Sequence, residues 1–345
     1  MLNKLFKVVG LFVIVSLTIF ITWAYVPEPK TVPLIESNSE TQYWHLNRGF
    51  KIAYSHFGNT DKTVPPIIFL HGGPGGYIHS AVIETLKPLS QQGFELYFYD
   101  QLGSGRSERP AKFSDVTLGS HVSDLHEIVT QHIGTNKVTL VAHSFGADIA
   151  AHFVARYPDL VHKIVFSSPG GITPEPYDND GNPIRYHIPT PKEYNFVEPW
   201  SYHETSDNAI LKPKPMLALA GALLFDIKLI SDNEMDTLFN NLVSKVTAGM
   251  VCDPINVKPE EGGAGAYAYM STNYNPDAID IRPSLKPIPS ITLHGQCDSI
   301  PYGVAIEFSE LFGADYHFIE NAGHIIWWEQ PDTYYELILA FLKSP

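Results

Sequence analysis

Short apolar stretches alternate with helical patterns along much of the chain, and this alternation limits the possible folds more than any other feature. Ile67–Leu70, Leu96–Tyr99 and Val138–Ala142 are rich in β-branched and aromatic residues and have the length of buried strands. In Val122–Ile133 apolar residues recur every three or four positions, which predicts an amphipathic helix that Gly134 ends. Because strands that alternate with helices pair in parallel, we predict a mostly parallel sheet with helices on both faces.

The alternation stops between residues 171 and 284. Eight prolines fall between Pro174 and Pro215, and the apolar stretch Leu217–Phe225 that follows is too short to cross a membrane. We predict an inserted, mostly helical lid over residues 171–284, with Leu217–Phe225 in the core of the lid rather than on a membrane-dipping surface. Residues 31–170 and 285–345 would then form the two parts of the core domain.

Residues 1–30 contain a stretch that can cross a membrane. Lys4 and Lys7 precede nineteen uncharged residues, Val8–Val26, which as a helix cover about 28 Å. This run is longer than the apolar part of a signal peptide, so we favour an uncleaved anchor. The lysines before it would keep the N-terminus cytoplasmic and place the remainder on the extracytoplasmic side. A cleaved signal peptide, giving a secreted or periplasmic protein, is the alternative.

Composition excludes several classes of partner. Lys+Arg 23 against Asp+Glu 37 gives a net charge of −14, so nucleic acid is a poor partner. Two cysteines are too few for a disulfide scaffold or a four-thiolate metal site, and the 15 histidines include no His-Glu-x-x-His motif. We therefore expect no metal and no other cofactor. Cys252 and Cys297 could form a disulfide after export, which the sequence leaves open.

Ser144 follows a predicted strand and opens a predicted helix, as a nucleophilic serine does in a tight strand–helix turn. Such a turn needs small residues two positions before and two positions after the serine. Ala142 and Gly146 occupy these positions. The amide dipoles of the following helix would point toward negative charge that develops on a substrate. The pattern therefore predicts that Ser144 is a nucleophile.

A serine hydroxyl becomes a good nucleophile when a histidine takes its proton and a carboxylate orients that histidine. Asp298 follows a predicted strand at Ile291–Leu293, and His324 follows another at Tyr316–Ile319. Both lie at carboxyl ends of strands, the edge at which parallel sheets bind ligands, and both come after the serine in the order that this turn requires. We predict a catalytic triad of Ser144, Asp298 and His324.

Two backbone amides are also needed to stabilise the oxyanion that forms when the serine attacks. One should belong to Phe145, the residue after the nucleophile, and the other to the glycine-rich loop after an early strand, where we select Gly73. This loop is not followed by Gly-Lys-Ser/Thr, so it does not have the pattern of a phosphate-binding loop.

These motifs together resemble the α/β-hydrolase superfamily, and most closely its proline iminopeptidase-like branch. The resemblance rests on His71–Gly76 (HGGPGG), on Tyr99–Ser107 (YDQLGSGRS), on the serine turn and on Gly323-His324. It implies an α/β-hydrolase fold with a helical cap after the sixth core strand. It also implies cofactor-free release of an N-terminal residue from small peptides. Leu102 departs from the pattern, since the family usually has arginine there.

The substrate is less constrained than the reaction. The resemblance implies that cap carboxylates hold the substrate amine, and the available glutamates are Glu198, Glu204, Glu260 and Glu261. A carboxylesterase or lactonase that acts on lipophilic small molecules is an alternative, and a non-catalytic binding protein with the same fold is another. The expected partners are a small peptide or ester substrate and, through the N-terminal segment, a membrane.

Overall fold

The structure, a computed structural model, describes residues 2–27, 29–58, 64–197, 212–274 and 279–345. The strands in these ranges are β1 (Gln42–His45), β2 (Lys51–Phe57), β3 (Ile67–Leu70), β4 (Leu96–Tyr99), β5 (Val138–His143), β6 (Val161–Ser167), β7 (Ser290–Cys297) and β8 (Asp315–Gly323). They form one sheet in the order β1-β2-β4-β3-β5-β6-β7-β8. β2 pairs antiparallel with β1 and β4, and all later pairs are parallel, which confirms the predicted mostly parallel sheet.

Helices cover both faces of this sheet. The α-helices in the described ranges are α1 (Leu2–Ala24), α2 (Ser80–Leu86), α3 (Leu118–Glu127), α4 (Phe145–Arg156), α5 (Pro213–Phe225), α6 (Asp232–Val246), α7 (Ala266–Asn273), α8 (Tyr302–Phe312), α9 (Ile326–Glu329) and α10 (Pro331–Lys343). Because side chains alternate along a strand, Ile68 and Leu70 of β3 pack with α3, α4 and α8, whereas Ile67 and Phe69 pack with α2, α9 and α10. The apolar run of β3 is therefore buried on both sides.

A helical region, called the cap from here on, interrupts the core between β6 and β7. Its helices α5, α6 and α7 form a small apolar cluster that includes Ala218, Ala222, Met235 and Tyr267, together with Phe113 from the loop after β4. The carboxylate of Asp236 on α6 accepts hydrogen bonds from the amide of Ala266, at 2.9 Å, and from the Arg109 side chain, at 2.9 Å. The bond from Arg109 joins the region to the loop after β4. The lid boundaries at residues 171 and 284 stay predictions.

Our expectation that Leu217–Phe225 lies inside the lid is wrong for the end of this stretch. The last three residues, Leu223 to Phe225, are between 50% and 72% exposed. Ala218 and Ala222 are buried, and Gly221 leaves no room for a Cβ atom beside its neighbours. Because α5 is mostly apolar, the sequence does not reveal that its small residues pack against the rest of the cap while the large residues at its C-terminal end face outward.

The N-terminal helix α1 includes an 18-residue window, Phe6–Trp23, that is long and apolar enough to cross a membrane by length and composition. None of that window is buried against the rest of the protein. The chain after it is attached to the cap, because the Tyr25 hydroxyl donates to the Leu229 carbonyl at 2.8 Å. The side-chain amide of Asn241 on α6 likewise donates to the Pro29 carbonyl at 2.8 Å.

Cys252 and Cys297 form a disulfide, with Cα atoms 5.2 Å apart. The sequence left this pairing open because it could not show how close the two residues come. The bond connects the segment after α6 to the last residue of β7, directly before Asp298.

Candidate active site

Ser144 occupies a strained turn between β5 and α4. Its φ of 52° and ψ of −121° are rare for a residue with a side chain, and such strain is typical of a nucleophile turn. A Cβ atom on Gly146 would lie 2.3 Å from the Leu70 carbonyl oxygen, so the position requires glycine. The Ser144 amide donates to the Ser167 carbonyl at 3.1 Å, and the Ser144 carbonyl accepts from Gly170 at 3.0 Å. These bonds fix the turn against the end of β6.

His324 and Asp298 form a hydrogen-bonded pair at the carboxyl ends of β8 and β7. The Nδ1 atom of His324 donates to Oδ1 of Asp298 at 2.8 Å, and both side chains are buried. The Ile300 amide donates to the same carboxylate oxygen at 2.8 Å. Burial by itself would raise the pKa of Asp298, but the imidazoles of His324 and His294 hold that pKa well below its usual range. Asp298 is therefore ionised at neutral pH and can stabilise a cation on His324.

This pairing fixes which ring nitrogen of His324 is available. With Nδ1 committed to Asp298, Nε2 is the atom that can take a proton from a nucleophile. Ser144 and His324 line the same cavity. The structure therefore brings the three predicted triad residues to one edge of the sheet, while their catalytic roles stay a prediction.

The glycine-rich loop after β3 passes directly against Ser144. A Cβ atom on Gly72 would lie 2.7 Å from Cβ of Ser144, so any side chain there would displace the serine. Gly73 has a φ of 131°, and a Cβ atom on it would lie 2.4 Å from the amide of Gly76. Gly73 lines the cavity beside Ser144, and Phe145 begins α4. That the amides of Gly73 and Phe145 bind the oxyanion remains a prediction, and this arrangement is compatible with it.

The loop after β4 supports the glycine-rich loop. The buried carboxylate of Asp100 accepts from the amides of Ile78 and Arg106, each at 2.8 Å. The Gln101 amide donates to Nε2 of His71 at 2.9 Å, and its side chain donates to the His71 carbonyl at 2.8 Å. The HGGPGG and YDQLGSGRS motifs are therefore one connected unit behind the site.

His143 packs beside the triad in a neutral form. Its Nδ1 atom donates to the Ser167 carbonyl at 3.0 Å, and its ring centre lies 4.8 Å from that of His324. Burial, followed by the nearby His324, lowers the pKa of His143 well below the ordinary value. A neutral His143 adds no positive charge beside His324.

Glu329 is a residue that the sequence did not single out. Its carboxylate accepts from the Gly323 amide at 2.8 Å, directly before His324, and from the Cys252 amide at 2.8 Å, within the disulfide. It also accepts from the Asp253 amide and the Asn256 side chain, each at 3.0 Å. A glutamate after two tryptophans carries no recognisable signal, because its partners come from a distant segment.

The cavity above Ser144 has a volume of about 770 Å³, within the range of sites for small organic ligands. Its described lining is mainly apolar. Side chains from the cap and from α9 contribute most of the wall, including Met216, Leu219, Leu238, Phe239, Leu242 and Trp327. Such a wall favours the apolar part of a substrate.

The structure brings one of the four predicted cap glutamates into this cavity. Glu260 lines it and accepts hydrogen bonds from the Tyr77 hydroxyl and, at 3.2 Å, from the Gly262 amide. Burial and then the Glu260 charge raise the pKa of Tyr77, which keeps its proton. Glu261 is not part of the cavity wall and accepts from the Ser80 amide at 3.0 Å. Glu198 and Glu204 lie outside the described residues.

Comparisons with known proteins agree with this architecture. A family model described as alpha/beta hydrolase fold matches residues 65–331. A proline iminopeptidase of Saccharolobus solfataricus is 26% identical, covering 81% of this chain and 84% of its own. A bromoperoxidase structure from Bacillus anthracis has a TM-score of 0.62 at 19% identity, covering 88% of this chain and 100% of that one. A proline iminopeptidase-related protein from Thermus thermophilus has a TM-score of 0.54 at 20% identity, covering 89% and 98%.

Proposed function

Because the chain belongs to the alpha/beta hydrolase fold family and is similar to its proline iminopeptidase-like branch, we propose that it is a serine hydrolase. It cleaves ester or amide bonds through a covalent acyl-enzyme on Ser144. The observation that carries this proposal is the hydrogen bond between His324 and an ionised Asp298, beside a serine held in a nucleophile turn. The metal-free chemistry of such a triad needs only these side chains and two backbone amides.

The reaction follows from the roles of these groups. Oγ of Ser144 attacks the substrate carbonyl carbon while Nε2 of His324 takes the hydroxyl proton. Asp298 stabilises the imidazolium, and the amides of Gly73 and Phe145 bind the oxyanion. Collapse of this intermediate breaks the bond to the leaving group, which receives the proton from His324. Water, deprotonated by the same histidine, then hydrolyses the acyl-enzyme and restores Ser144.

The substrate class that the cavity favours is a lipophilic ester or amide. The described cavity wall is mainly apolar, and Glu260 is the one carboxylate in its described lining. An ammonium group in an apolar cavity is costly unless it is fully paired. Aminopeptidase action on small peptides is the second candidate, favoured by the position of Glu260 in the wall and by the similarity to proline iminopeptidases.

Hydrolysis of p-nitrophenyl esters of increasing acyl length, compared with aminoacyl arylamides, tests the substrate class. Burial of one methylene is worth about 0.8 kcal/mol, so kcat/KM should rise about fourfold for each added methylene until the cavity is full. A higher kcat/KM for prolyl arylamide than for any ester would instead support the aminopeptidase. Glu260→Gln separates the two further, because it should impair only the hydrolysis of amine-bearing substrates.

We also propose that α1 anchors the protein in a membrane with the catalytic domain on the extracytoplasmic side. The length and apolar character of α1 and the lysines before its apolar run support this orientation. The disulfide between Cys252 and Cys297 suits an oxidising compartment. In cells that express the full chain, protease added outside the cytoplasmic membrane should degrade the domain, and alkaline carbonate should not extract it. N-terminal sequencing that finds a chain starting near residue 25 would indicate a cleaved signal peptide instead.

A further inference from the structure

The chain that follows α1 is held against the cap rather than against the core sheet. The Tyr25 hydroxyl donates to the Leu229 carbonyl, and the Lys214 ammonium donates to the Val26 carbonyl. Helix α1 also packs against α5. If α1 crosses a bilayer, the cap is therefore the part of the catalytic domain that lies nearest to the bilayer surface.

The C-terminal end of α5 presents a large apolar surface at this position. Leu223, Leu224, Phe225 and Ile227 are 50%, 72%, 68% and 46% exposed, and we call these four residues the α5 tip. The surface of a soluble protein seldom exposes so many neighbouring large apolar side chains unless it contacts a partner or a membrane. Tyr25, at the end of α1, is also largely exposed, and aromatic residues of this kind prefer the membrane interface.

The charged groups next to the α5 tip, Asp226 and Lys228, have polar partners within the protein. Asp226 accepts from the amide and the hydroxyl of Ser114, at 2.8 and 2.7 Å. The Lys228 ammonium donates to Asp232 at 2.6 Å. The Lys228 charge is paired with a carboxylate, and the Asp226 carboxylate is hydrogen-bonded by Ser114, so partial burial at a headgroup layer would leave neither group without a polar partner.

The same helix also forms part of the cavity wall. Pro215, Met216 and Leu219 of α5 line the cavity above Ser144, and Met216 is 53% exposed. One end of α5 is therefore shared with the substrate site, and the other end forms the apolar tip. A single element connects the surface that would meet lipid with the site that would bind a lipophilic substrate.

We propose that the α5 tip inserts into the outer leaflet of the bilayer that α1 crosses, and that lipophilic substrate passes from this leaflet along α5 into the cavity. This inference rests on the membrane anchoring and the substrate class proposed above. The partner is a lipid surface, and the net charge of −14 indicates that apolar contact rather than attraction to anionic lipid drives the insertion.

Depth-dependent quenching tests the insertion without reference to activity. The chain has two cysteines, both in the disulfide, so Leu224→Cys gives the full-length protein a single free thiol for an environment-sensitive fluorophore. In vesicles that carry nitroxide on the lipid acyl chains, quenching at residue 224 should be at least threefold stronger than at the control Lys137→Cys. Lys137 is exposed and directly precedes β5, so it lies at the amino-terminal end of this strand, whereas the cap lies at the carboxyl end. Equal and weak quenching at both positions would overturn the proposal, and a full chain that does not sediment with vesicles would overturn the anchoring as well.

Substrate entry is tested by the variant Leu224→Asp/Phe225→Asp, whose side chains are not part of the described cavity wall. Hydrolysis of a long-chain ester dissolved in vesicles should fall at least tenfold, while hydrolysis of a short, water-soluble ester stays within twofold. Ile255→Asp, at an isoleucine that is 83% exposed, should change neither rate and serves as the matched control. Equal losses on both esters would contradict entry along α5. Absence of esterase activity in the unmodified protein would contradict the proposed function. The quenching experiment would still test insertion of the α5 tip independently, because it does not measure activity.

Discussion

Asp298 illustrates how a single buried carboxylate sets the chemistry of its neighbours. Its hydrogen bond to Nδ1 of His324 selects the tautomer in which Nε2 can act as a base. The imidazoles around it keep its pKa low, although burial by itself would raise it. The function of the pair is therefore electrostatic as well as geometric, and both aspects can be tested at this one residue.

Asp298→Asn should lower kcat by about 10⁴ while the protein still folds. The amide can donate where the carboxylate accepted, so His324 would be held in the wrong tautomer. Steady-state kinetics on the best ester substrate give the measurement, and circular dichroism gives the control for folding. A loss smaller than tenfold would mean that Asp298 does not orient the catalytic base.

The effect of Asp298→Asn on the free energy of unfolding should depend on pH. A carboxylate whose pKa is lower in the folded state stabilises the fold fully above its unfolded pKa, near 3.9, and loses this contribution as pH falls through the folded pKa. The difference in unfolding free energy between the unmodified protein and Asp298→Asn should therefore be constant around pH 7 and change below about pH 4. Urea unfolding at pH 7, 5 and 3.5 measures it. An identical difference at all three pH values would contradict the low pKa.

Gly146 and Ala142 form a matched pair on the two sides of the serine. Gly146→Ala places a Cβ atom 2.3 Å from the Leu70 carbonyl and should distort the turn, with a large loss of activity and of thermal stability. Ala142→Gly keeps a small residue two positions before the serine, and should keep activity within a fewfold while it costs about 0.5–1 kcal/mol of stability. Equal effects of the two changes would indicate that the turn is not constrained as described.

Among the elements, local patterns locate β3, β4 and β5 closely, because each is a short apolar run followed by a turn or a loop. For β7 and β8 they find only the apolar part, because the polar residues at the ends of these strands give no strand signal. The antiparallel strands β1 and β2 were not identified, since their residues are mostly polar or partly exposed. The outward orientation of the α5 tip also escaped prediction, because a helix that is mostly apolar gives no amphipathic signal. The roles of Glu329 and of the disulfide depend on contacts between distant segments, which no local pattern encodes.

The disulfide should stabilise the connection between the cap and the loop after β7 that carries Asp298. It closes a loop of 45 residues, which corresponds to about 4 kcal/mol if the bond acts by restricting the unfolded chain. The double variant Cys252→Ser/Cys297→Ser should therefore show a lower melting temperature. It should also show a lower kcat, because Cys297 directly precedes Asp298. Calorimetry and ester kinetics measure the two effects. An unchanged melting temperature would show that hydrogen bonds such as those of Glu329 hold the segment without the disulfide.

For the whole molecule, the structure separates into a catalytic domain and one exposed apolar helix. No residue of the Phe6–Trp23 window is buried, although α1 contacts α5 of the cap. The contacts of Tyr25 and Pro29 with the cap, in contrast, lie after α1 and belong to the catalytic domain. Anchoring and hydrolysis are therefore expected to be separable properties of the chain.

Removal of residues 1–24 should give a protein that no longer requires detergent and retains its kcat/KM on a short soluble ester within about threefold. No residue of the apolar window is buried, and α1 contacts α5 at the surface of the cap, which is the physical reason for this expectation. The same truncation should lower the rate on an ester dissolved in vesicles, because the domain is no longer held at the lipid surface. A truncated chain that fails to fold would show that α1 is part of the structure of the domain.

The central claim is that the Ser144 hydroxyl is the nucleophile that the Asp298–His324 pair activates. Its most direct test is a fluorophosphonate probe followed by intact-mass and peptide analysis of the folded protein. The account predicts one covalent adduct per chain, located on Ser144, together with loss of hydrolysis, and no adduct on a folded Ser144→Ala variant. A folded, unmodified protein that takes no label, or a Ser144→Ala variant that keeps the original turnover, would contradict it.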